Sequence, residues 1–312
     1  MQLTIKPRSV MLYGVSGSTK TSQVYHMAKW ILKNNPGKKI RMIASDGGGW
    51  APFQDSGMVE RGEVEIFDFS YREYALSDWR KLNQGYWPRE TASGAEYFKK
   101  DNNCKVTPEE WSGIAGVIIE GLASSGEALK THCSNQTEGV GFKESWRYEE
   151  EGETIVGLQM GHYDLIQKEL YSGHMKGFNN MPVPWLIYTS LLGKGTDKKN
   201  GETVFGPQVV GNAATPQAPA WFMDCLHLDK QTYENKSGER VEGMVAWFER
   251  HEDSVGPYLC KARVMPESYP KLKEYFPHGF VPLGFKRGIV DYFLVLDKLR
   301  KDGTNNNNET VT

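Results

Sequence analysis

The chain has 312 residues and a formal net charge of −2; 39% of the residues are hydrophobic and 24% are charged. This composition is typical of a globular protein, and the length allows one large or two ordinary domains. The net charge excludes a globally basic surface for binding nucleic acid, but it does not exclude a local basic groove. No apolar run approaches the ~18 residues of a membrane span, and the amino terminus lacks a signal-peptide core. Four scattered cysteines without a C-x-x-C pair indicate reduced thiols in a cytoplasmic protein.

The first predicted strand leads into a glycine-rich loop. Val10 to Tyr13 is a short apolar run, and the loop that follows comprises Gly14, Val15, Ser16, Gly17, Ser18, Thr19, Lys20, Thr21 and Ser22. The phosphate-loop pattern G-x-x-x-x-G-K-[ST] is met at the first glycine, the lysine and the threonine that follows it. Thr19 stands where that pattern has its second glycine.

These residue types suit a nucleotide phosphate. Backbone N–H groups at a helix start form a positive nest, Lys20 reaches the terminal phosphates, and the Thr21 hydroxyl is a magnesium ligand. Because Thr19 is β-branched, a left-handed backbone there costs on the order of 1–2 kcal/mol, so the loop either avoids that conformation, holds strain or binds nucleotide weakly. The competing interpretation is a Gly/Ser turn with an accidental Lys-Thr pair.

The flanking sequence favours the phosphate loop. Apolar residues recur at helical spacing from Val24 to Leu32, Pro36-Gly37 stops that helix, and Ile40 to Ala44 predicts the next strand. Further strands are predicted at 64–69, 114–119, 184–188, 220–228, 243–249 and 258–264. Helices are predicted at 71–83, from a cap at Thr107, at 162–175 and at about 287–300.

Strands that alternate with helices predict an α/β fold, a mostly parallel sheet with helices on both faces and an antiparallel carboxy-terminal extension. We expect one domain over residues 1–302, with inserted loops at about 85–106, 131–157 and 193–206. Residues 303–312 include four consecutive asparagines, and we expect a disordered tail there.

Three polar positions follow predicted strands, at the sheet edge where ligands of α/β proteins bind. Glu120 ends Val-Ile-Ile-Glu in the manner of a Walker B strand and would hold magnesium; the alternative is a solvated strand end. Asp46 begins an Asp-Gly-Gly-Gly segment and could polarise the attacking water, or it could form an ordinary Asp-Gly turn. A hydroxyl of Thr189 or Ser190 could sense the γ-phosphate, or cap the strand.

The order of these motifs resembles RecA-like P-loop ATPases, and most closely the compact RecA-like ATPases of bacteriophages, some of which are linked to single-strand annealing and recombination. The resemblance extends over residues 9 to 265 and includes Gly206 to Gly211, Trp221 to Asp224 and Leu259 to Arg263. It implies that Asp46 is the catalytic carboxylate. It also implies that Lys261 and Arg263 reach a neighbouring subunit's nucleotide as a Lys-x-Arg finger; from spacing alone, they are two exposed bases on a strand.

The resemblance implies an ATPase that uses ATP and magnesium, acts in DNA recombination or replication, and assembles as a homo-oligomeric ring or filament. Candidate partners are single-stranded DNA and other phage proteins, without a membrane, in the host cytoplasm or a virion. The alternative is a degenerate nucleotide-binding structural or assembly protein with weak or no hydrolysis. A nucleotide kinase is disfavoured because no Arg-rich lid follows the loop helix. The absence of an Asn-Lys-x-Asp motif favours ATP over GTP.

Overall fold

The computed structural model describes residues 7–45, 48–68, 82, 85–87, 106–127, 147–150, 153–156, 160–168, 175–197, 199–210, 214–235, 237–264, 266–284 and 287–308. The predicted catalytic Asp46 therefore lies outside the described residues. So do nearly all of the predicted helix 71–83 and most of the 85–106 loop.

Thirteen strands are present in the described residues: β1 Arg8–Gly14, β2 Lys39–Ala44, β3 Val64–Asp68, β4 Ile114–Glu120, β5 Arg147–Glu150, β6 Glu153–Val156, β7 Trp185–Thr196, β8 Thr203–Pro207, β9 Asp224–Glu234, β10 Arg240–Trp247, β11 His251–Glu252, β12 Pro257–Tyr258 and β13 Phe280–Pro282. The α-helices are α1 Lys20–Asn34, followed by Ala51–Asp55, Pro108–Ser112, Met160–Lys168, Lys176–Phe178, Tyr269–Tyr275 and Val290–Asn308. Residues 122–127 are also helical, and short 3-10 turns lie at Ala218–Trp221 and Pro266–Ser268.

Six strands form the parallel part of the main sheet, in the order β3, β2, β4, β7, β1 and β9. Since all six run the same way, the ends of β1, β2, β4 and β7 lie along one edge. That edge carries the glycine loop, Ser45, Glu120 and Thr189. The strand β7 separates β1 from β4, so the loop and Glu120 are brought together across one intervening strand.

The antiparallel extension that the sequence predicts is present. The strand β10 pairs antiparallel with β9, and β13 pairs antiparallel with β10. The end of β7 continues past the parallel part and pairs antiparallel with β8, so the predicted 193–206 insertion is largely a hairpin of the sheet. β5 and β6, from the predicted 131–157 insertion, form a separate two-stranded sheet.

Both faces of the sheet are covered, as the predicted fold class requires. Met11 and Tyr13 face one hydrophobic core, whereas Val10 and Leu12 face the other, as the two-residue period of a strand dictates. The helix α1 packs on the second face through Val24, Met27, Ala28 and Ile31, the spacing that predicted it. The carboxy-terminal helix covers the same face.

The capping residues in the sequence correctly predicted the start of the short helix Pro108–Ser112. Thr107 caps the helix Pro108–Ser112: its hydroxyl accepts from the Glu110 N–H at 3.2 Å, and the Glu110 carboxylate accepts from the Thr107 N–H at 2.7 Å. The reciprocal pair satisfies two amide donors that the helix cannot satisfy itself. The predicted cap, first-position proline and acidic first turn are confirmed.

Three sequence-predicted boundaries differ from the structure. The strand predicted at 220–228 begins at Asp224, because Ala218–Trp221 is a 3-10 turn containing Pro219, which has no N–H for a ladder. Of the predicted 258–264 strand, only Tyr258 lies in a strand, the two-residue β12; beyond it, Lys261 makes an isolated bridge to Cys225. The last helix continues through Asn308, past the expected start of the tail at Gly303, since each added residue gains a backbone hydrogen bond once a helix has formed.

Candidate functional site

The glycine loop forms the tight connection between β1 and α1 that the sequence predicts. The Ser18 N–H donates to the Val15 carbonyl at 3.2 Å, and Gly17 has a φ of 77°. A side chain at Gly14 would overlap the Leu228 carbonyl oxygen on β9, so only glycine fits there. The first helical bond runs from the Gln23 N–H to the Thr19 carbonyl. The earlier N–H groups of the first turn therefore lie outside the helix ladder and form a positive end to α1.

Thr19 adopts the backbone of the glycine that it replaces. Its φ of 62° and ψ of 15° are left-handed, and among the described residues it is the one non-glycine with positive φ. Its hydroxyl makes no capping bond, and its Oγ1 is buried with no hydrogen-bond partner within the described part of the chain. The loop therefore does not avoid the left-handed conformation at Thr19, and it holds backbone strain there. The substitution therefore preserves the loop geometry at a cost in stability.

The Lys20 ammonium lies over this loop. Its Nζ donates to the carbonyls of Gly14 at 3.1 Å and Val15 at 2.8 Å, and to Ser18 Oγ at 3.2 Å. A compact cation with three donors is thus held where the loop and the start of α1 meet. This position suits an anionic ligand, which would exchange neutral carbonyl partners for charged oxygens.

Two hydroxyls converge on the Glu120 carboxylate. Thr21 Oγ1 donates to Oε1 at 2.9 Å, and Thr189 Oγ1 donates to Oε2 at 2.8 Å. Glu120 is 3% exposed, so the alternative of a solvated strand end is wrong. The structure thereby joins Thr21, Glu120 and Thr189, which are far apart in the sequence, into one oxygen-rich cluster beside Lys20.

The described residues that flank Asp46 contact Glu120. On one side of Asp46, the Ser45 N–H donates to the Glu120 carbonyl at 3.0 Å, and Ser45 Oγ lies 2.8 Å from Ser125 Oγ. On the other side, a side chain at Gly49 would overlap Glu120 Cγ. The described residues on both sides of Asp46 therefore approach Glu120, although Asp46 itself is outside the described residues.

This cluster fits magnesium chemistry in part. Hydroxyl and carboxylate oxygens are ligands of the class that magnesium prefers. Among the described residues, no group of three or more His, Cys, Asp or Glu side chains could hold a metal alone. The Thr21–Glu120 pair supplies two such oxygens, which fits a cation whose other ligands are nucleotide phosphates and water.

The structure does not bring Lys261 and Arg263 to this loop. Lys261 pairs through its backbone with Cys225, opposite Met11, and its Nζ donates to the Phe222 carbonyl at 2.8 Å, toward the amino end of β1. Arg263 is exposed, and its N–H donates to Asp224 Oδ1 at 3.3 Å. The pair lies beside β9 and away from its own phosphate loop.

A stacked aromatic column beside the site was not predicted. His227 stacks on Tyr13 with ring centroids 5.0 Å apart and on Tyr258 at 4.6 Å, and His227 Nδ1 lies 2.9 Å from His251 Nε2. Burial, reinforced by the charge of His251, lowers the pKa of His227 to about 3. Burial also lowers the pKa of His251 to about 4. No sequence spacing signals this contact, because it depends on how the β10 end folds back onto β9.

Comparison with known proteins gives structural likeness alone. No protein-family model matches the chain, and no curated protein matches it significantly. Among solved structures, a KaiC-like protein of Pyrococcus horikoshii is similar over 81% of this chain and 89% of its own, with 10% identity and a TM-score of 0.38. The flagellar accessory protein FlaH of Methanocaldococcus jannaschii is similar over 78% and 77%, with 8% identity and a TM-score of 0.40.

These scores are too low to carry a functional argument. The fold assignment rests on the strand order, the glycine loop after β1 and helices on both faces of the sheet, which together make a mostly parallel α/β fold. Within the described ranges, no helix has the length and apolar character needed to cross a bilayer.

Proposed function

We propose that this chain is a RecA-like P-loop ATPase that binds ATP with magnesium at the carboxyl edge of β1 and hydrolyses it. The convergence of Thr21 and Thr189 on the buried Glu120 carboxylate, with Thr21 directly following the lysine of the glycine loop, carries the proposal. A strand end without a function would leave a glutamate solvated rather than bury it between two hydroxyls beside a cation-bearing loop.

Each residue has a role that its position supports. The loop amides and Lys20 bind and orient the phosphates, and the charge of Lys20 offsets the negative charge that develops on them. Thr21 and Glu120 hold the cation, which when bound neutralises phosphate charge. The resemblance assigns Asp46 as the base that orients water, and the contacts of Ser45 and Gly49 with Glu120 support that assignment.

Two alanine variants of lysines on helix α1 test the nucleotide site. Lys20→Ala should abolish ATP hydrolysis and weaken nucleotide binding, because it removes the charge at the phosphates. Lys33→Ala, at an exposed position in the last turn of the same helix, is the matched control and should leave both unchanged. Hydrolysis by Lys20→Ala at the wild-type rate would contradict the site assignment.

The finer proposal is a phage-encoded, homo-oligomeric enzyme of DNA recombination or replication in the host cytoplasm. Arg263 supports it because it is exposed and its backbone lies beside Asp224, at the start of β9 and away from its own glycine loop, as a residue acting on a neighbour's nucleotide must be. Mixing inactive Lys20→Ala with inactive Arg263→Ala subunits should restore part of the activity, since some interfaces then carry both intact residues. No recovery in assembled mixtures would contradict action between subunits.

Single-stranded DNA provides the test of the nucleic-acid role. We expect it to raise the rate of ATP hydrolysis by the assembled protein, with the effect weakening as salt increases. Equal rates with and without DNA would count against a DNA-dependent ATPase.

A degenerate nucleotide-binding protein of an assembly is the second candidate, and the strained Thr19 favours it. Calorimetric titration with ATP and magnesium separates the two functions. Binding in the micromolar range with no phosphate release would favour the assembly protein, whereas binding with turnover supports the ATPase.

A further inference from the structure

We infer that Thr189 is a positioning residue, which acts through Glu120 to set the affinity of the site for magnesium instead of sensing the γ-phosphate. The inference rests on the proposed nucleotide site and deepens it. A threonine hydroxyl has one hydrogen to donate, and that of Thr189 is donated to Glu120 Oε2 at 2.8 Å. Thr189 Oγ1 itself accepts from the Gly121 N–H at 3.0 Å.

The Thr189 hydroxyl therefore has protein partners both as a donor and as an acceptor. To donate to a phosphate, Thr189 would have to release a carboxylate that is 3% exposed and leave one of its oxygens without that donor. Ser190 is likewise engaged, since its Oγ donates to the Gln208 carbonyl at 2.9 Å. Neither hydroxyl that follows the apolar part of β7 therefore has its hydrogen directed to a ligand.

The identity of the carboxylate explains why such a residue is useful. A glutamate has one more rotatable bond than the aspartate common at this strand end, so its carboxylate needs additional support to hold one orientation. Thr189 fixes Oε2, which leaves Oε1 facing Thr21 at 2.9 Å. Thr189 is itself 1% exposed on a central strand, and its β-branched side chain is stiff. The cation-binding pair Thr21–Glu120 is thus aligned from the far side by Thr189.

The test compares Thr189→Val, which keeps the shape and removes the hydroxyl, with Thr189→Ser, which keeps the hydroxyl. Thr196→Val makes the same exchange at an exposed position of the same strand and is the matched control. Binding of a fluorescent ADP analogue is measured with EDTA and across a magnesium titration, and hydrolysis of ATP is measured at saturating magnesium.

Thr189→Val should raise the magnesium concentration for half-maximal effect by tenfold or more, the loss typical of a removed supporting partner. Affinity in EDTA should stay near wild type, because the change acts through the cation, and the hydrolysis lost at low magnesium should recover as magnesium is raised. Thr189→Ser should recover most of the magnesium affinity. An unchanged magnesium midpoint with a lower saturated rate would overturn the inference and restore the phosphate-sensing role.

A double-mutant cycle with Glu120→Gln provides a second, independent measurement. If Thr189 acts through the carboxylate, Thr189→Ala, which also removes the hydroxyl, should not alter the magnesium midpoint further once Glu120 is replaced. Additive effects would overturn the inference, and this measurement remains decisive if Thr189→Val fails to fold. Failure of the proposed function looks different, because the wild-type protein would then bind no nucleotide.

Discussion

Replacing Thr19 with glycine should stabilise the folded protein. The left-handed φ of 62° costs a β-branched residue about 1–2 kcal/mol, which glycine avoids. Glycine returns roughly 0.4–1 kcal/mol of this through the greater entropy of its unfolded chain. Removing a buried hydroxyl without a hydrogen-bond partner adds a further gain. We therefore expect a net stabilisation of about 1 kcal/mol.

Urea unfolding followed by circular dichroism measures this change as a shift of the midpoint to higher urea at constant slope. Thr19→Ala is the informative comparison, because it removes the hydroxyl but keeps a Cβ in the left-handed backbone. It should fall below Thr19→Gly in stability. A Thr19→Gly protein less stable than wild type would refute the reasoning, since the threonine side chain would then contribute more by packing than its backbone costs.

Three further outcomes follow from individual contacts. Gly49→Ala should raise the magnesium requirement of nucleotide binding, since its side chain would overlap Glu120 Cγ; a magnesium titration that superimposes on wild type would contradict the contact. Stability should fall as the pH drops from 6.5 toward 4, because His227 and His251 take up protons in the unfolded state at a higher pH than in the folded state. His251→Gln should make the urea midpoint depend less on pH between pH 7 and 5. A pH dependence equal to that of the wild type would argue against this origin. Asp224→Asn should destabilise the protein by about 3–5 kcal/mol in urea unfolding, because it removes the nearer carboxylate, at 3.0 Å, of the buried Arg8 guanidinium and leaves it only the more distant Asp297 at 3.9 Å; a loss below 1 kcal/mol would show that Asp297 compensates.

Local patterns predicted the parts of the site that are continuous in the chain. The spacing of Gly14, Lys20 and Thr21 predicted the tight glycine loop that joins β1 to α1, and the apolar run before Glu120 predicted a buried strand with an acid at its end. These succeed because strands and helix starts leave periodic and capping signals within a few residues. The boundary of β9 was missed, since the turn that precedes it is set by how Pro219 packs rather than by a hydrophobic period.

Pairwise contacts could not be predicted in the same way. The sequence left Thr189 as a phosphate sensor or a strand cap, whereas its actual partner, Glu120, lies 69 positions away. The His227–His251 contact likewise depends on the fold of a hairpin. For Asp46, Lys261 and Arg263, the catalytic and intersubunit roles remain predictions, with the mixed-subunit assay as the direct test of the pair.

The sequence by itself determined the α/β architecture, the position of the phosphate loop and the residue types available to bind phosphate and magnesium, because these depend on local periodicity and composition. Only the tertiary structure decided that Thr19 takes the left-handed backbone of a glycine, that Glu120 is buried, and that two hydroxyls share its carboxylate. Those properties depend on which strands lie side by side. The pairing of β7 between β1 and β4 brings Thr21 and Thr189 within hydrogen-bonding distance of the Glu120 carboxylate.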